Sequence, residues 1–274
     1  MIKKIAIQGV KGSYHHQVVG KYYAQHTSLL ECKTFDALAQ AVKDGDCDQA
    51  VMAIENSIAG SILPNYALLD QYGLIVIGEF YLSIQHNLMG LSGQSIKDIK
   101  EVHSHPMALL QCKNFFLAYP HIKLVESDDT AEEAMKIKNN SITGRGAIAG
   151  INAAEIYGLS IISESIQTIK NNVTRFVIVQ KETPKHLNNI NKAAWKFVLD
   201  HKRGSLATAL NVLSDCNLNL TKIQSLPVIE APGKYAFFVD VTFDESEDYF
   251  KAKSLVEIMA TSLKVMGEYE SSKS

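Results

Sequence analysis

Apolar and polar positions along the 274 residues fall into two alternating rhythms. Short aliphatic and β-branched runs read as buried strands: Ile5-Ala6-Ile7, Ala50-Val51-Met52-Ala53-Ile54, Leu74-Ile75-Val76-Ile77, Val102-His103-Ser104, Ile122-Lys123-Leu124-Val125, Ala147-Ile148-Ala149 and Val177-Ile178-Val179. Between them apolar residues recur at helical spacing, from Tyr14 towards His26, Phe35 to Val42, Ile62 to Tyr72, Pro106 to about Ala118, and around Ala131–Met135 and Ala153–Ile156. The boundaries carry their own chemistry. Ser13 is placed to cap the first helix, Asp44-Gly45 and Tyr157-Gly158 to close helices, Pro106 to start one, and Thr130 or Asp129 to cap another. The segment from Tyr81 to Met89 alternates as an antiparallel or crossing strand would. Residues 1 to about 182 therefore repeat strand, polar turn, helix, which predicts an α/β fold with parallel strands.

The rest of the chain has a different order. After a polar, Asn-rich stretch at 183–192, Ala194–Leu199 reads as a strand, and Leu206, Leu210 and Leu213 mark a helix with Ser205 as its cap. Leu218–Leu226 and Tyr235–Phe243 are strands flanking a turn at Ala231-Pro232-Gly233-Lys234. A helix from about Asp248 to Leu263 and a strand near Val265–Tyr269 complete βαββαβ, the ferredoxin-like order.

Composition narrows the function. With 20% charged residues and a formal net charge of −2, the chain has no basic block suited to nucleic acid. No apolar run approaches the roughly 18–20 residues of a membrane span, and the apolar run at the start is too short for a signal peptide, so a soluble, cytoplasmic protein is expected. Cys32, Cys47, Cys112 and Cys216 form no CxxC pair and read as reduced packing residues. His103 with His105, and His15 with His16, lack the carboxylate or cysteine company of a metal site, so no metal is expected. Gly144, Gly146 and Gly150 have the wrong spacing and place for a dinucleotide fingerprint.

The candidate chemistry lies at strand ends. In open α/β sheets ligands sit beyond the carboxyl ends of the strands. There the chain places Ser13, Glu55-Asn56-Ser57, Ser104-His105, Asp129-Thr130 and Gly150, each at or near a helix amino terminus that favours anions. Asn171-Asn172-Val173-Thr174-Arg175-Phe176 brings an amide, a hydroxyl and a guanidinium to the start of another strand. Together these turns predict a cleft for a small carboxylated or phosphorylated molecule, between two lobes joined by two strands that permit hinge closure.

Several motifs in this order carry a resemblance over nearly the whole chain: Gly9-Val10-Lys11-Gly12-Ser13-Tyr14; Ile54-Glu55-Asn56-Ser57-Ile58-Ala59-Gly60; Ser104-His105-Pro106 with Ala108-Leu109 and Gln111-Cys112; Asp129-Thr130-Ala131; Ala147-Ile148-Ala149 with Ala153-Ala154 and Tyr157-Gly158-Leu159; and Asn172-Val173-Thr174-Arg175-Phe176. The sequence resembles a monofunctional prephenate dehydratase with a C-terminal ACT regulatory domain. The resemblance implies a two-lobed, periplasmic-binding-protein-like catalytic domain over residues 1–182. Lobe one is about 1–78 and 167–182, and lobe two about 79–166. A linker at 183–192 and a ferredoxin-like ACT domain at 193–274 follow. The stretch before Gly9 is too short for a chorismate mutase domain, so the fused bifunctional form is not expected.

The implied reaction converts prephenate to phenylpyruvate, carbon dioxide and water without a cofactor. The catalytic set implied is Thr174, Arg175 and Asn172. Thr174 assists the departing oxygen and Arg175 holds a carboxylate or the loop. Ser13, Asn56, Ser57, Ser104, His105, Thr130 and Phe176 form the substrate-binding set, within which His105 reads as an oriented helix-start residue and Phe176 as packing. Glu55 would repel a dianion and is assigned to fixing its turn. Gly204, Ser205, Leu206, Asn219, Leu220 and Thr221 match the regions that bind L-phenylalanine as a feedback inhibitor. The chain departs from the family at Gln224-Ser225-Leu226-Pro227, where Glu-Ser-Arg-Pro is usual, and at Ala53, where Pro is common. A homodimer or homotetramer is expected. Arogenate dehydratase, the same chemistry on an amino-acid side chain, and a non-catalytic small-molecule sensor are the alternatives.

Overall fold

The computed structural model describes residues 2–23, 26–184, 189–200, 202–228, 231 and 234–272. Residues 185–188 of the expected linker, and Pro232 and Gly233 of the expected turn, lie outside the described residues. In chain order the elements are β1 (Lys3–Gln8), α1 (Tyr14–Tyr22), β2 (Thr27–Cys32), α2 (Phe35–Asp44), β3 (Gln49–Asn56), β4 (Gly60–Ser61), α3 (Leu63–Gln71), β5 (Ile75–Ser83), β6 (Asn87–Gly90), β7 (Glu101–Ser104), α4 (Pro106–Phe116), β8 (Lys123–Glu126), α5 (Thr130–Asn139), β9 (Arg145–Ala149), α6 (Ile151–Tyr157), β10 (Ser160–Ser163), β11 (Val173–Gln180), β12 (Lys192–Val198), α7 (Ser205–Asp215), β13 (Asn219–Pro227), β14 (Tyr235–Thr242), α8 (Ser246–Met259) and β15 (Ser262–Tyr269). They form two compact units, one of residues 1–65 and 80–176, the other of 66–79 and 177–274.

In the first unit β1 lies between β2 and β3, parallel to both, and Ile5, Ala6 and Ile7 are fully buried at its centre. The first residues of β11 run beside the end of β3, where Ser57 N–H donates to Val173 O at 2.8 Å. A second sheet takes the order β10-β6-β9-β7-β8. In it β7 is parallel to β8 and β9, and β6 is antiparallel to β9 and β10. The fold is α/β with mixed sheets, where parallel-rich sheets were expected.

Local chemistry explains most boundaries. Ser13 Oγ accepts from His16 N–H and starts α1. Thr34 does the same for α2, which stops at Gly45 in the left-handed region. The first helix ends at Tyr22 and not near His26, because Tyr23 is already extended, and Thr27–Cys32 form β2, a strand the sequence pattern did not mark. Asp129, not Thr130, caps α5, its Oδ1 accepting from the N–H groups of Ala131 and Glu132 at 2.8 Å.

The second unit has the βαββαβ order, with strands arranged β13-β14-β12-β15 and every neighbouring pair antiparallel. Trp195, Phe197, Val241, Tyr249 and Val256 fill its core. β5 joins this sheet through Val76 opposite Gly267, where a Cβ would stand 2.1 Å from the Val76 carbonyl oxygen, so only glycine fits. A buried ion pair ties the same segment down, Lys192 Nζ lying 3.0 and 2.8 Å from the Glu79 carboxylate oxygens. Two expectations are corrected here. α8 runs Ser246–Met259 because Ala260 turns extended and Thr261 N–H donates to Val198 O, opening β15 early. Gly204, in the left-handed region, is the N-cap of α7, and the Ser205 hydroxyl donates to Lys202 O. Among the described residues, no helix is long and apolar enough to cross a membrane.

Candidate functional site

The site is built around the turn after β3 and the first residues of β11. Asn56 Oδ1 accepts from the backbone N–H groups of Ile58 and Ala59 at 3.0 and 2.9 Å. A backbone N–H can only donate, so the other corner of the amide is its NH2. From there Asn56 donates to Asn172 Oδ1 at 2.7 Å and to Thr174 Oγ1 at 2.9 Å. Ser57 clamps the same strand, its Oγ accepting from Val173 N–H at 2.9 Å. Asn172 is fully buried and Thr174 nearly so.

This arrangement decides what the Thr174 hydroxyl can do. Its oxygen already accepts from Asn56, so its own proton is left to point away from that amide. The group is a hydrogen-bond donor held in one orientation by a rigid neighbour. Strand alternation puts Phe176 on the same face as Thr174 and Arg175 on the other. Phe176 is buried with its ring edge-on to the His15 ring, centroids 5.0 Å apart, and forms an apolar floor. Arg175 is also buried, on the opposite face of the strand.

Three helix starts of the first unit gather at tight contacts between loops. A Cβ on Gly12 would meet Ala153 Cα of α6 at 3.0 Å, one on Gly150 would meet the Tyr14 ring at 2.9 Å, and one on Gly9 would meet Asp129 Oδ2 at 2.5 Å. Ser13, Asp129 and Gly150 are therefore brought together as the strand-end argument requires. Tyr157 OH donates to Lys11 O at 2.6 Å across the same junction. Burial pushes the Asp129 carboxyl up, against the N–H groups of Glu132 and Ala131 and the His105 ring, which pull it down. His105 is exposed and caps α4, its Nδ1 accepting from Met107 N–H.

Ser104 is fully buried, and its hydroxyl donates to Ile148 O at 2.7 Å, so its proton serves the sheet. Thr130 is the first residue of α5. Glu55 faces Ser61 in the β3–β4 pairing. In the second unit, Ser205 and Leu206 line a small cavity of about 110 Å³ with Leu199, Asp200, Lys202 and Lys234. Asn219, Leu220 and Thr221 begin β13, and the Thr221 hydroxyl donates to Asp240 O.

Three residues that sequence reasoning did not assign extend the site. Asn172 Nδ2 donates to Gln111 Oε1 at 2.9 Å, and the same oxygen lies 2.9 Å from His86 Nε2. His86 Nδ1 lies 2.8 Å from the Tyr14 hydroxyl. Gln111 and Tyr14 stood inside quoted motifs, but nothing in their local sequence linked them to Asn172. Among the described residues, no group of three or more His, Cys, Asp or Glu is arranged to hold a metal ion.

The prephenate dehydratase family model matches residues 5–184. Arogenate dehydratase/prephenate dehydratase 2, chloroplastic, of Arabidopsis thaliana is 35% identical over 277 residues, covering 97% of this chain and 72% of that protein. The crystal structure of the prephenate dehydratase from Staphylococcus aureus subsp. aureus Mu50 has a TM-score of 0.84 at 28% identity, covering 97% of this chain and 100% of that one. A solved structure described as GqqA, a novel type of quorum quenching acylases, has a TM-score of 0.89 at 27% identity and covers 99% of each chain. The chain belongs to the prephenate dehydratase family.

Proposed function

We propose that this chain dehydrates and decarboxylates prephenate to phenylpyruvate, with Thr174 donating to the departing oxygen. The observation that carries the reading is the Asn56–Thr174 hydrogen bond of 2.9 Å, which occupies the hydroxyl oxygen and leaves its proton for a ligand. In the reaction the ring carboxylate leaves as carbon dioxide. Its bonding electrons enter the ring, and the ring C–O bond breaks. The leaving hydroxide takes a proton and departs as water. A hydroxyl aimed at that oxygen lowers the barrier by meeting charge as it develops. Asn172 and Asn56 hold the hydroxyl, and Ser57 fixes the strand that carries it. Ser13, His105 and Thr130, at the starts of α1, α4 and α5, suit the two carboxylates of the substrate. Ser104 and Phe176 act through packing, and Arg175 by securing β11 from its far face.

Arogenate differs from prephenate by an ammonium in place of a keto group, and the Arabidopsis relative carries both activities in its name. Acylase chemistry at Thr174 would need its oxygen as a nucleophile. An oxygen that accepts from an amide is the less nucleophilic for it, and among the described residues no base is hydrogen-bonded to Thr174. The dehydratase reading uses the group as it stands.

The βαββαβ unit fits an ACT regulatory domain at 193–274, following a linker at 183–192 and a catalytic domain at 1–182. L-phenylalanine is its proposed effector, held near Gly204–Leu206 and Asn219–Thr221 in a homodimer or homotetramer. The cavity lined by Ser205 and Leu206 supports the first of these two places. Calorimetric titration with phenylalanine up to millimolar levels tests it, and absence of heat refutes it.

For the active site, Thr174→Val is the decisive substitution. Turnover with prephenate, followed as phenylpyruvate absorbance in alkali, is expected to fall about 10²–10³-fold with KM within about threefold, as loss of one such donor implies. Turnover within tenfold of the parent refutes the role, and a higher kcat/KM for arogenate than for prephenate reassigns the substrate.

A further inference from the structure

Thr174 stands at one end of a run of side-chain hydrogen bonds that ends at Tyr14, and the direction of each link from Asn56 to His86 can be deduced. The two backbone N–H groups on Asn56 Oδ1 make its other corner the NH2. Asn172 must then present Oδ1 to Asn56 and Nδ2 to Gln111. Gln111 presents Oε1, and the atom on its other side, His86 Nε2, must carry a hydrogen. Burial pushes the His86 ring down to about 4, against the pull of Gln111, so it is neutral at physiological pH. Its Nδ1 is then an acceptor 2.8 Å from the Tyr14 hydroxyl, whose one proton faces both that nitrogen and the Gln85 carbonyl oxygen at 2.9 Å. The backbone that carries the ring is held at both groups, His86 N–H donating to Gln167 Oε1 and its carbonyl accepting from Ile166 N–H.

The geometry points to His86 as a positioning residue for the reaction: by donating from Nε2 to Gln111 Oε1, it fixes the Gln111 and Asn172 amides in the one orientation that lets Asn56 donate to Thr174. With the opposite tautomer, two lone pairs would meet at 2.9 Å. Gln111 would turn over and present its NH2 to the NH2 of Asn172, breaking the chain in its middle. With the hydrogen on Nε2, both lone pairs of Gln111 Oε1 are filled, and the donor end of that amide is turned out of the chain. The backbone N–H groups on Asn56 set the polarity, and the Nε2 hydrogen of the imidazole completes it at the far end.

His86→Gln keeps a donor nitrogen where Nε2 stands. His86→Asn places its amide near Nδ1, out of reach of Gln111, and His86→Leu has no donor. The kinetic arm rests on the dehydratase reading: His86→Leu and His86→Asn are expected to lower kcat about 10- to 100-fold with KM within about threefold. His86→Gln is expected to recover to within about fivefold. A purely structural role would not separate Gln from Asn. The spectroscopic arm needs no substrate. In the parent protein, ¹⁵N NMR should show the hydrogen of His86 on Nε2, and the side-chain amide signals of Gln111 and Asn172 should shift in His86→Leu and less in His86→Gln. A parent imidazole protonated on Nδ1, amide signals unmoved in His86→Leu, or equal turnover of the Asn and Gln variants overturns the assignment. If the parent turns over neither prephenate nor arogenate, the functional reading fails, and the NMR signals alone decide His86.

Discussion

Asn56→Asp changes the character of one atom and almost nothing of its shape. The oxygen facing Ile58 and Ala59 keeps both backbone donors, at 3.0 and 2.9 Å. The corner that donated now accepts, facing Asn172 Oδ1 at 2.7 Å and Thr174 Oγ1 at 2.9 Å. Held rigid, this would replace two hydrogen bonds, each worth about 0.5–1.5 kcal/mol, with lone-pair contacts. The chain has a way out. Asn172 can turn so that its Nδ2 donates to the introduced carboxylate, Gln111 can turn to follow, and Gln111 NH2 then meets His86 Nε2. His86 must move its hydrogen to Nδ1 and donate to the Tyr14 oxygen, while Tyr14 donates to the Gln85 carbonyl oxygen 2.9 Å away. Every link re-forms in reverse, so the expected change in stability is small, about 1–2 kcal/mol at most. Thr174 does not escape, because its proton is drawn to the new carboxylate. Turnover at saturating prephenate is expected to fall about 10²–10³-fold, or roughly 2.7–4 kcal/mol, and the added charge to raise KM as well. The assays are saturation kinetics, urea denaturation and ¹⁵N NMR of the His86 ring, which should show its hydrogen transferred to Nδ1. An Asn56→Asp protein that keeps turnover within tenfold, or keeps the hydrogen on Nε2, refutes the directional chain.

Two further outcomes test other parts of the structure. Burial lowers the His15 ring from 6.5 to about 3, so below pH 6.5 the unfolded chain binds a proton that the folded one refuses. Stability is then full above pH 6.5 and falls as pH drops towards 3, and His15→Leu is expected to flatten that fall by about 1.4 kcal/mol per pH unit; parallel pH profiles of urea denaturation would contradict it. Lys192 and Glu79 are paired with side chains only 3% and 0% exposed, so Lys192→Met is expected to cost about 3–5 kcal/mol, much of it regained with Glu79→Leu. A single-variant cost under about 1 kcal/mol, measured by denaturant unfolding, would show that the pair does not hold the segment.

What could be read in the sequence was what local chemistry determines. Ser13, Asp44-Gly45 and Pro106 announce helix ends because a cap or a missing N–H acts over three or four residues, and all three act as expected. Asn56, Ser57, Asn172 and Thr174 do meet, because the carboxyl end of β3 lies beside the amino end of β11. Thr27–Cys32 escaped notice because a strand with alternating but only half-buried positions shows little apolar contrast, and β10 is a short strand at the margin of its sheet for the same reason. His86 and Gln111 were beyond local reading: their links join residues 72, 25 and 61 positions apart. The Ser104 hydroxyl shows the converse error, since a polar residue at a strand end can serve the neighbouring strand as readily as a ligand.

For the proposed reaction the physical problem is that a threonine hydroxyl is a poor acid, while a stronger one, a carboxyl, would ionise and repel a dianion. The structure meets this with neutral groups arranged head to tail. Backbone N–H groups donate to Asn56 Oδ1, Asn56 donates to Thr174 Oγ1, and Thr174 is left to donate outward. In a run with a single direction each bond polarises the next, strengthening it by about 10–30%. The second branch, through Asn172 to Gln111, is met from the far side by His86 and keeps the first from turning. Position 56 therefore requires a side chain that accepts at one corner and donates at the other, with both corners a fixed distance from the strand. Aspartate accepts at both, leucine does neither, and glutamine reaches one methylene too far. Asparagine meets the requirement without bringing a charge to the cleft.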